Sequence, residues 1–269
     1  PPDQSGKINP AILFAAHLTG VKKIFKVGGA QAIAALAYGT ESIPAVSKIF
    51  GPGNQYVTKA KQLISQDGIA IDMPAGPSEV LIIADELANP VFVAADLLSQ
   101  AEHGGDSQVV LVTTDEPMIS KVKGEIEKQI VELPRQEIAR AALSNSLCIT
   151  FKTNAELIQF VNEFAAEHLI INTKDCETLV DKIVNAGSIF LGPYTPEAAG
   201  DYASGTNHTL PTHGFAKTFG GVALESFMKY ITVQQITKAG LIVLGPIVEE
   251  MAEAELLKGH ANAIRVRKN

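Results

Sequence analysis

The stretch Leu97-Leu98-Ser99-Gln100-Ala101-Glu102-His103-Gly104-Gly105-Asp106-Ser107-Gln108 decides the fold, because it joins a helix to a strand. Apolar residues recur at helical spacing across residues 90–103, and Gly104-Gly105 ends that pattern. The apolar strand Val109–Thr113 follows, and a buried strand, Val80–Ala84, precedes the helix. A strand, a helix and a second strand in succession predict a parallel sheet with helices packed on its faces.

The same alternation continues on both sides of this stretch. Downstream we predict helices across 117–131, 135–143, 154–166 (capped by Asn154) and 176–185, and strands Leu147–Phe151, His168–Asn172 and Ser188–Leu191. Upstream we predict a helix across 8–20, a strand at Ile24–Val27, a helix from the Gly28-Gly29 turn to Tyr38, a strand ending at Ile49-Phe50, a helix across Gln55–Ser65 and a strand at Ile69–Asp72. Strand, glycine-rich turn and helix in succession are typical of ligand loops at the carboxyl ends of parallel strands. Neither turn is a G-x-G-x-x-G motif, so ordinary tight turns explain them equally well.

The fold class that follows is α/β, with two parallel-sheet modules, each an incomplete Rossmann-like unit, and a helical C-terminal tail. We expect the first module at residues 1–76, the second at 77–222 and the tail at 223–269. The Pro-Ala-Gly-Pro-Ser turn at 74–78 suits a crossing point between modules. Residues 192–214 predict a long, ordered polar loop, and loops of that length are usually functional.

Composition excludes several classes of function. Apolar residues are 46% of the chain, charged residues are 19%, and the net charge is -7 without a lysine or arginine block, which argues against nucleic acid and anionic membranes as partners. The sequence shows neither an apolar run of membrane-spanning length nor a signal peptide. With only Cys148 and Cys176, in no metal-like pair, we expect a reducing, cytoplasmic setting.

Gln100 and His103 suggest half of a metal site. They lie three residues apart and therefore project from one face of a helix end, although a solvated polar helix end would show the same pattern. Asp201 and His260 could complete the ligand set. The spacing does not select them over other candidates, namely Asp106, Glu197, His208 and Glu255. The residues alone therefore predict an α/β enzyme with a histidine and carboxylate metal centre.

The pair Glu167-His168 opens a strand directly after a helix. A carboxylate and an imidazole at such a junction could serve acid/base chemistry. Neighbouring strand residues face opposite sides of a sheet, so coincidence explains the pair equally well. Ser78 is either a turn residue or a contact for a ligand in a cleft.

Five sequence runs, found in order along the whole chain, resemble the histidinol dehydrogenase family. They are Ile49–Val57, Ile71–Leu81, Leu98–Gly104, Glu167–Leu169 and Gly200–His208. The resemblance implies oxidation of L-histidinol to L-histidine through the aldehyde, with two hydride transfers to NAD. It also implies a zinc ion that holds the imidazole and amino nitrogens of the substrate.

The resemblance assigns roles to individual residues. It implies zinc ligands at Gln100, His103, Asp201 and His260. Glu167 would activate water, and His168 would take and return protons. The substrate site would consist of the zinc ligands, His168, Ser78, Glu197 and Glu255, with His208 close by. Gln31 and Asn54 would contact NAD.

The resemblance further implies a homodimer with a shared active site. The C-terminal tail would be exchanged, so that His260 reaches the site of the partner. Family members also carry a long segment ahead of the position that matches Pro1. Two alternatives stay open: a non-catalytic fragment that folds and dimerises without turnover, and a zinc hydrolase that uses the Glu167-His168 pair. NADH production would separate the dehydrogenase from both.

Overall fold

The structure is a computed structural model that describes residues 2–73 and 76–268. The chain divides into two compact units, Pro1–Ser226 and Phe227–Asn269. The strands of the first unit are β1 Lys48–Ile49, β2 Ala70–Ile71, β3 Glu79–Ala84, β4 Gln108–Thr113, β5 Leu147–Thr150, β6 His168–Asn172 and β7 Ser188–Leu191. Its α-helices are α1 Pro10–Leu18, α2 Gly29–Tyr38, α3 Gln55–Ser65, α4 Pro90–Ala101, α5 Glu116–Gln129, α6 Gln136–Ser144, α7 Asn154–Phe164, α8 Cys176–Val180 and α9 Glu197–Tyr202.

Five strands form the main sheet in the order β5-β4-β3-β6-β7, and all of them are parallel. Along the sequence, this sheet begins with its middle strand, β3, and adds β4 and β5 on one side. Strands β6 and β7 then extend the other side, as in doubly wound α/β folds. Strand β3 is buried along its whole length, which explains its unbroken apolar run. Val80 and Ile82 pack into the core formed with α4, α5 and α6, whereas Leu81 and Ile83 pack into the core formed with α7 and α8.

A smaller sheet pairs β1 with β2 in parallel, and α2 and α3 cover it through a compact core that includes Ile33, Ile49 and Ile64. The strand predicted at Ile24–Val27 was wrong, because these residues lie outside any helix or strand. A strand requires a hydrogen-bonded neighbour, and within the described residues this sheet contains only β1 and β2. The predicted amphipathic helix at 8–20 forms as α1, although it buries none of its residues.

The α/β fold with parallel sheets and a helical tail is confirmed, with local corrections. Helix α7 is capped by Thr153, not by the predicted Asn154: the Thr153 side chain accepts from Glu156 N, and the Glu156 side chain accepts from Thr153 N. The predicted loop at 192–214 contains α9, and the helix predicted at 176–185 ends at Val180.

The second unit is helical only in part. Its α-helices are α10 Lys238–Ala254 and α11 Lys258–Arg265, and residues 228–237 lie outside helices and strands. The predicted boundaries of the modules at 76 and 222 stay predictions. No helix in the described part of the chain is long and apolar enough to cross a membrane.

Candidate functional site

Ionisable side chains gather where the central strands of the main sheet begin. Glu79 is the first residue of β3, His168 is the first residue of β6, and Glu167 directly precedes β6. The register aligns Val80 with His168, and parallel strands start at the same edge, so these residues meet although they are far apart in the sequence. We call the end of the sheet at which its strands begin the amino edge, and the end at which they finish the carboxyl edge. In doubly wound folds ligands usually bind at the carboxyl edge, so this cluster lies at the opposite end of the strands.

The side chains of Glu79 and Glu167 each accept a hydrogen bond from the backbone N–H of the other residue. Glu79 N donates to Glu167 Oε2 at 3.0 Å, and Glu167 N donates to Glu79 Oε1 at 3.3 Å. The same Glu79 oxygen accepts from His213 N at 3.1 Å, which ties the loop after α9 to this edge. Both carboxyl groups are buried. The position of the Glu167 side chain is therefore set by Glu79.

Burial raises the pKa of both carboxyl groups. The pKa of Glu79 rises to about 7, because desolvation and the charge of Glu167 outweigh the backbone hydrogen bonds that favour the ionised form. The pKa of Glu167 also rises to about 7, again through burial, and the neighbouring His168 and Ser78 limit the rise. A carboxyl group whose pKa lies near neutrality is suited to act as a general base at physiological pH.

His168 stands among three carboxylates and a backbone carbonyl. Its Nδ1 lies 3.3 Å from Glu79 O, 3.7 Å from Glu167 Oε2 and 4.0 Å from Glu197 Oε1. Its Nε2 lies 3.4 Å from Asp201 Oδ1 without hydrogen-bond geometry. Burial by itself would lower the pKa of His168, but Asp201, Glu197 and Glu167 together raise it to about 9. The nearby imidazole in turn lowers the pKa of Asp201.

Donors suited to a metal ion converge beside this cluster. Glu197 and Asp201 lie four residues apart on α9 and therefore share one face of it. One ligand atom each from His103, Glu197 and Asp201 lies within 4.8 Å of the other two. Helix α9 approaches β7 closely at Gly200, where an added Cβ would meet the Phe190 ring at 2.6 Å. Gly200 thus allows α9 to bring its carboxylates to the site.

Unpartnered polar atoms support a fit between these residues and a cation. Gln100 is 0% exposed in the last turn of α4, yet neither its Oε1 nor its Nε2 has a hydrogen-bond partner among the described residues. The same holds for Glu197 Oε2 within the described ranges. Burying a polar group without a partner costs about 1–3 kcal/mol, so such groups call for an explanation. An amide oxygen, an imidazole and carboxylates suit a divalent ion such as zinc, although an amide is an uncommon zinc ligand.

A cleft of about 510 Å³ contains much of the predicted site. The predicted site residues that line it are Ser78, Gln100, His103, Glu167, His168, Asp201 and His208. Glu197 is not among its lining residues, although its carboxylate belongs to the donor group. The Gly51–Gly53 turn also lines this cleft, and Asp72 holds the turn, since Gly51 N donates to Asp72 Oδ2 at 2.8 Å. Buried Lys61 completes this support through an ion pair with Asp72 and a hydrogen bond to Gly51 O at 3.0 Å.

A second cleft, of about 830 Å³, adjoins the first one. Ser78 and His103 line both clefts, and Asn54 lines the second. Asn54 caps α3, because its Oδ1 accepts from Tyr56 N and Val57 N. Gln31 lies on α2 and is not among the lining residues of either cleft. The predicted NAD contacts of Asn54 and Gln31 stay predictions.

Two predicted site residues belong to the second unit. Glu255 caps the end of α10, His260 lies in α11, and both side chains are exposed. Their predicted roles as substrate contact and zinc ligand stay predictions.

Sequence reasoning missed Glu79 and Gly187. A carboxylate that opens an otherwise apolar buried strand is the signal that could have revealed Glu79. Gly187 precedes β7 at a point where an added Cβ would lie 2.6 Å from Glu167 O. Because Gly187 has no side chain, the backbone of Glu167 can pass close to it. A single glycine in a loop does not reveal such a role in the sequence.

Comparison with known proteins agrees with the resemblance seen in the sequence. The sequence profile of the family described as Histidinol dehydrogenase matches residues 1–268. Histidinol dehydrogenase of Bacteroides thetaiotaomicron is 60% identical over 269 residues, which are 100% of this chain and 63% of that protein. The chloroplastic histidinol dehydrogenase of Arabidopsis thaliana is 56% identical over 270 residues, which are 99% of this chain and 58% of that protein.

A solved structure extends the comparison to the fold. The crystal structure of histidinol dehydrogenase from Elizabethkingia anophelis superposes with a TM-score of 0.96 at 57% identity, over 99% of this chain and 62% of that one. The chain thus spans about three-fifths of the length of these relatives. With a profile match along nearly its whole length and this structural agreement, the chain belongs to the histidinol dehydrogenase family.

Proposed function

We propose that this chain carries the acid/base and metal-binding residues for NAD-dependent oxidation of L-histidinol to L-histidine. Family membership supports the reaction, and the convergence of Glu167, His168, His103 and Asp201 on one cleft is the observation that carries the proposal. In this proposal residues 1–76 contact NAD, residues 77–222 supply the zinc and acid/base residues, and residues 223–269 form the exchanged tail of a homodimer. Free Cys148 and Cys176 fit a cytoplasmic location.

In this proposal zinc would be held by Gln100, His103 and Asp201, with His260 as the fourth ligand. Bound zinc would fix the imidazole and amino nitrogens of the substrate, and bound NAD would accept hydride. Ser78, Glu197 and Glu255 would contact the substrate. Gln100 supports this ligand set, because its buried amide at the end of α4 has no hydrogen-bond partner within residues 2–73 and 76–268 and a cation would satisfy its oxygen.

Glu167 would take a proton from the water that attacks the aldehyde-level intermediate. Its pKa of about 7 leaves a substantial ionised fraction at neutral pH, and its hydrogen bond from Glu79 N fixes the carboxylate. His168 would take and return protons. Oxidation of an alcohol releases a proton, so His168 must be neutral to accept it, whereas the carboxylates around it raise its pKa to about 9 and favour the charged form. A cation bound to Asp201 would offset the negative charge that stabilises the protonated imidazole. The pKa of His168 would therefore fall.

The homodimer is supported by exposed apolar residues in the second unit. Helix α10 is 17 residues long and exposes Ile242, Val243, Leu244, Ile247 and Met251. Val243, Ile247 and Met251 recur every four residues and therefore share one face of α10, and an exposed apolar face is typical of a surface that another chain covers.

The experiment that tests the proposal mixes the chain with zinc, NAD and L-histidinol and follows NADH absorbance. We expect about two NADH for each histidine formed, as required by the four-electron oxidation. Zinc binding without NADH would indicate a non-catalytic chain. Metal-dependent ester or amide cleavage without NAD would indicate a hydrolase. Either result would contradict the proposed reaction.

A further inference from the structure

We propose that the buried ion pair of Lys61 and Asp72 positions the Gly51–Gly53 turn for binding the nicotinamide dinucleotide. The inference rests on the NAD-binding part of the proposed function and adds two positioning residues to it. Both act through the backbone of the turn, which lines the first cleft together with the acid/base residues and leads directly into Asn54.

The ion pair holds both polar groups of the Gly51 backbone. Gly51 N donates to Asp72 Oδ2 at 2.8 Å, and Gly51 O accepts from Lys61 Nζ at 3.0 Å. The other carboxylate oxygen, Asp72 Oδ1, forms the ion pair with Lys61 and also accepts from Met73 N at 2.8 Å. The peptide groups on both sides of Gly51 are therefore fixed against the segment that follows β2.

The turn needs this support because its backbone conformation is uncommon. Gly51 has a φ of 135°, which residues with a side chain rarely adopt. Glycine reaches this conformation without a clash, but it also leaves it easily, since it has the widest choice of backbone conformations. A second glycine, Gly53, adds to that freedom. Hydrogen bonds to the Lys61–Asp72 pair restrict the turn to one arrangement.

The position of the turn fits a dinucleotide. Strands β1 and β2 are parallel and end at Ile49 and Ile71, so Gly51 and Asp72 both lie where the strands of the smaller sheet finish. Parallel sheets usually bind nucleotides at this end, and glycines there let the backbone approach the pyrophosphate closely. The turn is followed by Asn54, for which the family resemblance predicts a contact with NAD.

The burial of the pair favours a positioning role over stabilisation alone. The side chains of Lys61 and Asp72 are 6% and 1% exposed. Taking two charges out of water offsets much of their attraction, so apolar residues of similar volume often stabilise a fold equally well. Apolar residues would supply neither the acceptor for Gly51 N nor the donor for Gly51 O.

The test is titration of NADH fluorescence with the 269-residue chain, together with urea unfolding. The double variant Lys61→Met with Asp72→Asn removes both charges, so neither is left buried without its partner. We expect its dissociation constant for NADH to rise by about tenfold, because binding must then order the turn. Lys152→Met, which alters an exposed lysine, is the matched control and keeps the affinity of the parent.

Steady-state kinetics separates positioning from a general loss of structure. For the double variant we expect the KM for NAD to rise, while kcat and the KM for L-histidinol stay within about twofold of the parent. If this variant fails to fold, Asp72→Asn alone is used. Its amide has one acceptor oxygen in place of two, so weaker NADH binding is again the expected result.

The failures of the two proposals are distinguishable. If the variant binds NADH as tightly as the parent, the inference is overturned and the proposed function stands. Equal losses for NAD and L-histidinol, with a lower free energy of unfolding, would show that the pair only stabilises the fold and would also overturn the inference. If the parent chain binds no NADH, the NAD-binding part of the proposed function is overturned together with the inference.

Discussion

The two edges of the main sheet differ in how far their polar side chains are hydrogen-bonded. At the carboxyl edge, Asp85 follows β3 and accepts from Lys174 N at 2.7 Å, Leu87 N at 3.0 Å and Ala88 N at 3.1 Å. At the amino edge, Gln100 and Glu197 Oε2 lack partners among the residues described. Satisfied polar groups stabilise a fold, whereas buried unsatisfied ones cost free energy and often mark function.

The carboxyl edge is where a ligand would be expected from topology alone. Strands β3 and β6 are neighbours there, and the chain leaves them in opposite directions, which is the usual ligand position in doubly wound sheets. Here the Asp85 carboxylate occupies the backbone N–H groups of both following loops. The Asp85 side chain thus uses backbone N–H donors that could otherwise bind a ligand. The ionisable cluster lies at the amino edge instead.

The largest expected effect is on catalysis at the amino edge. Glu167→Gln removes the proposed base while keeping its shape, and we expect the rate of NADH formation to fall by about 10²–10⁴-fold. Asp85→Asn is the control at the carboxyl edge, and its rate should stay within about twofold of the parent at a temperature where both are folded. Steady-state NADH assays with L-histidinol measure both. A Glu167→Gln variant with more than a tenth of the parent rate would show that Glu167 is not the base.

The next effect is on stability, and it should have opposite signs at the two edges. Asp85→Ala removes the acceptor of three backbone N–H groups, so we expect the free energy of unfolding to fall by about 2–3 kcal/mol. Gln100→Met removes polar atoms that have no partner in the described part of the chain, at similar volume, and should stabilise the metal-free chain by about 1–2 kcal/mol. Urea unfolding with a chelator present measures both. Destabilisation by Gln100→Met would mean that the amide has a protein partner.

The smallest effect is a change in pH dependence. The folded pKa of Glu79, about 7, lies above the ordinary value of 4.5, so its stabilising contribution is present below pH 4.5 and is lost as the pH rises through 7. Glu79→Gln should flatten the decline in unfolding free energy between about pH 4.5 and 7, by up to about 1.4 kcal/mol per pH unit. Urea unfolding across that range measures it, with the exposed Glu177→Gln as control. Parallel curves for parent and Glu79→Gln would show that Glu79 is ionised throughout.

Local patterns predicted much of the fold. The spacing of apolar residues predicted α3 at Gln55–Ser65 and strands β6 and β7 with the bounds that the structure shows. Helical spacing predicted Gln100 and His103 together at a helix end, and the structure has Gln100 in the last turn of α4 and His103 two residues beyond its end at Ala101. The family resemblance, not spacing, selected Asp201 as their companion, and its role as a ligand stays a prediction. The helices and strands are predicted well because helix and strand periodicities depend on neighbours within a few residues.

Only the tertiary structure decided which distant residues meet. Glu79 and Glu167 are 88 residues apart, and they touch because β3 pairs with β6 in one register. The strand predicted at Ile24–Val27 fails for the converse reason, since an apolar run becomes a strand only beside a partner. The sequence by itself determined an α/β chain of the histidinol dehydrogenase type with its candidate ligands. Strand order and register decided that the ionisable cluster lies at the amino edge while Asp85 fills the carboxyl edge, because hydrogen bonds between strands join residues that no local pattern connects.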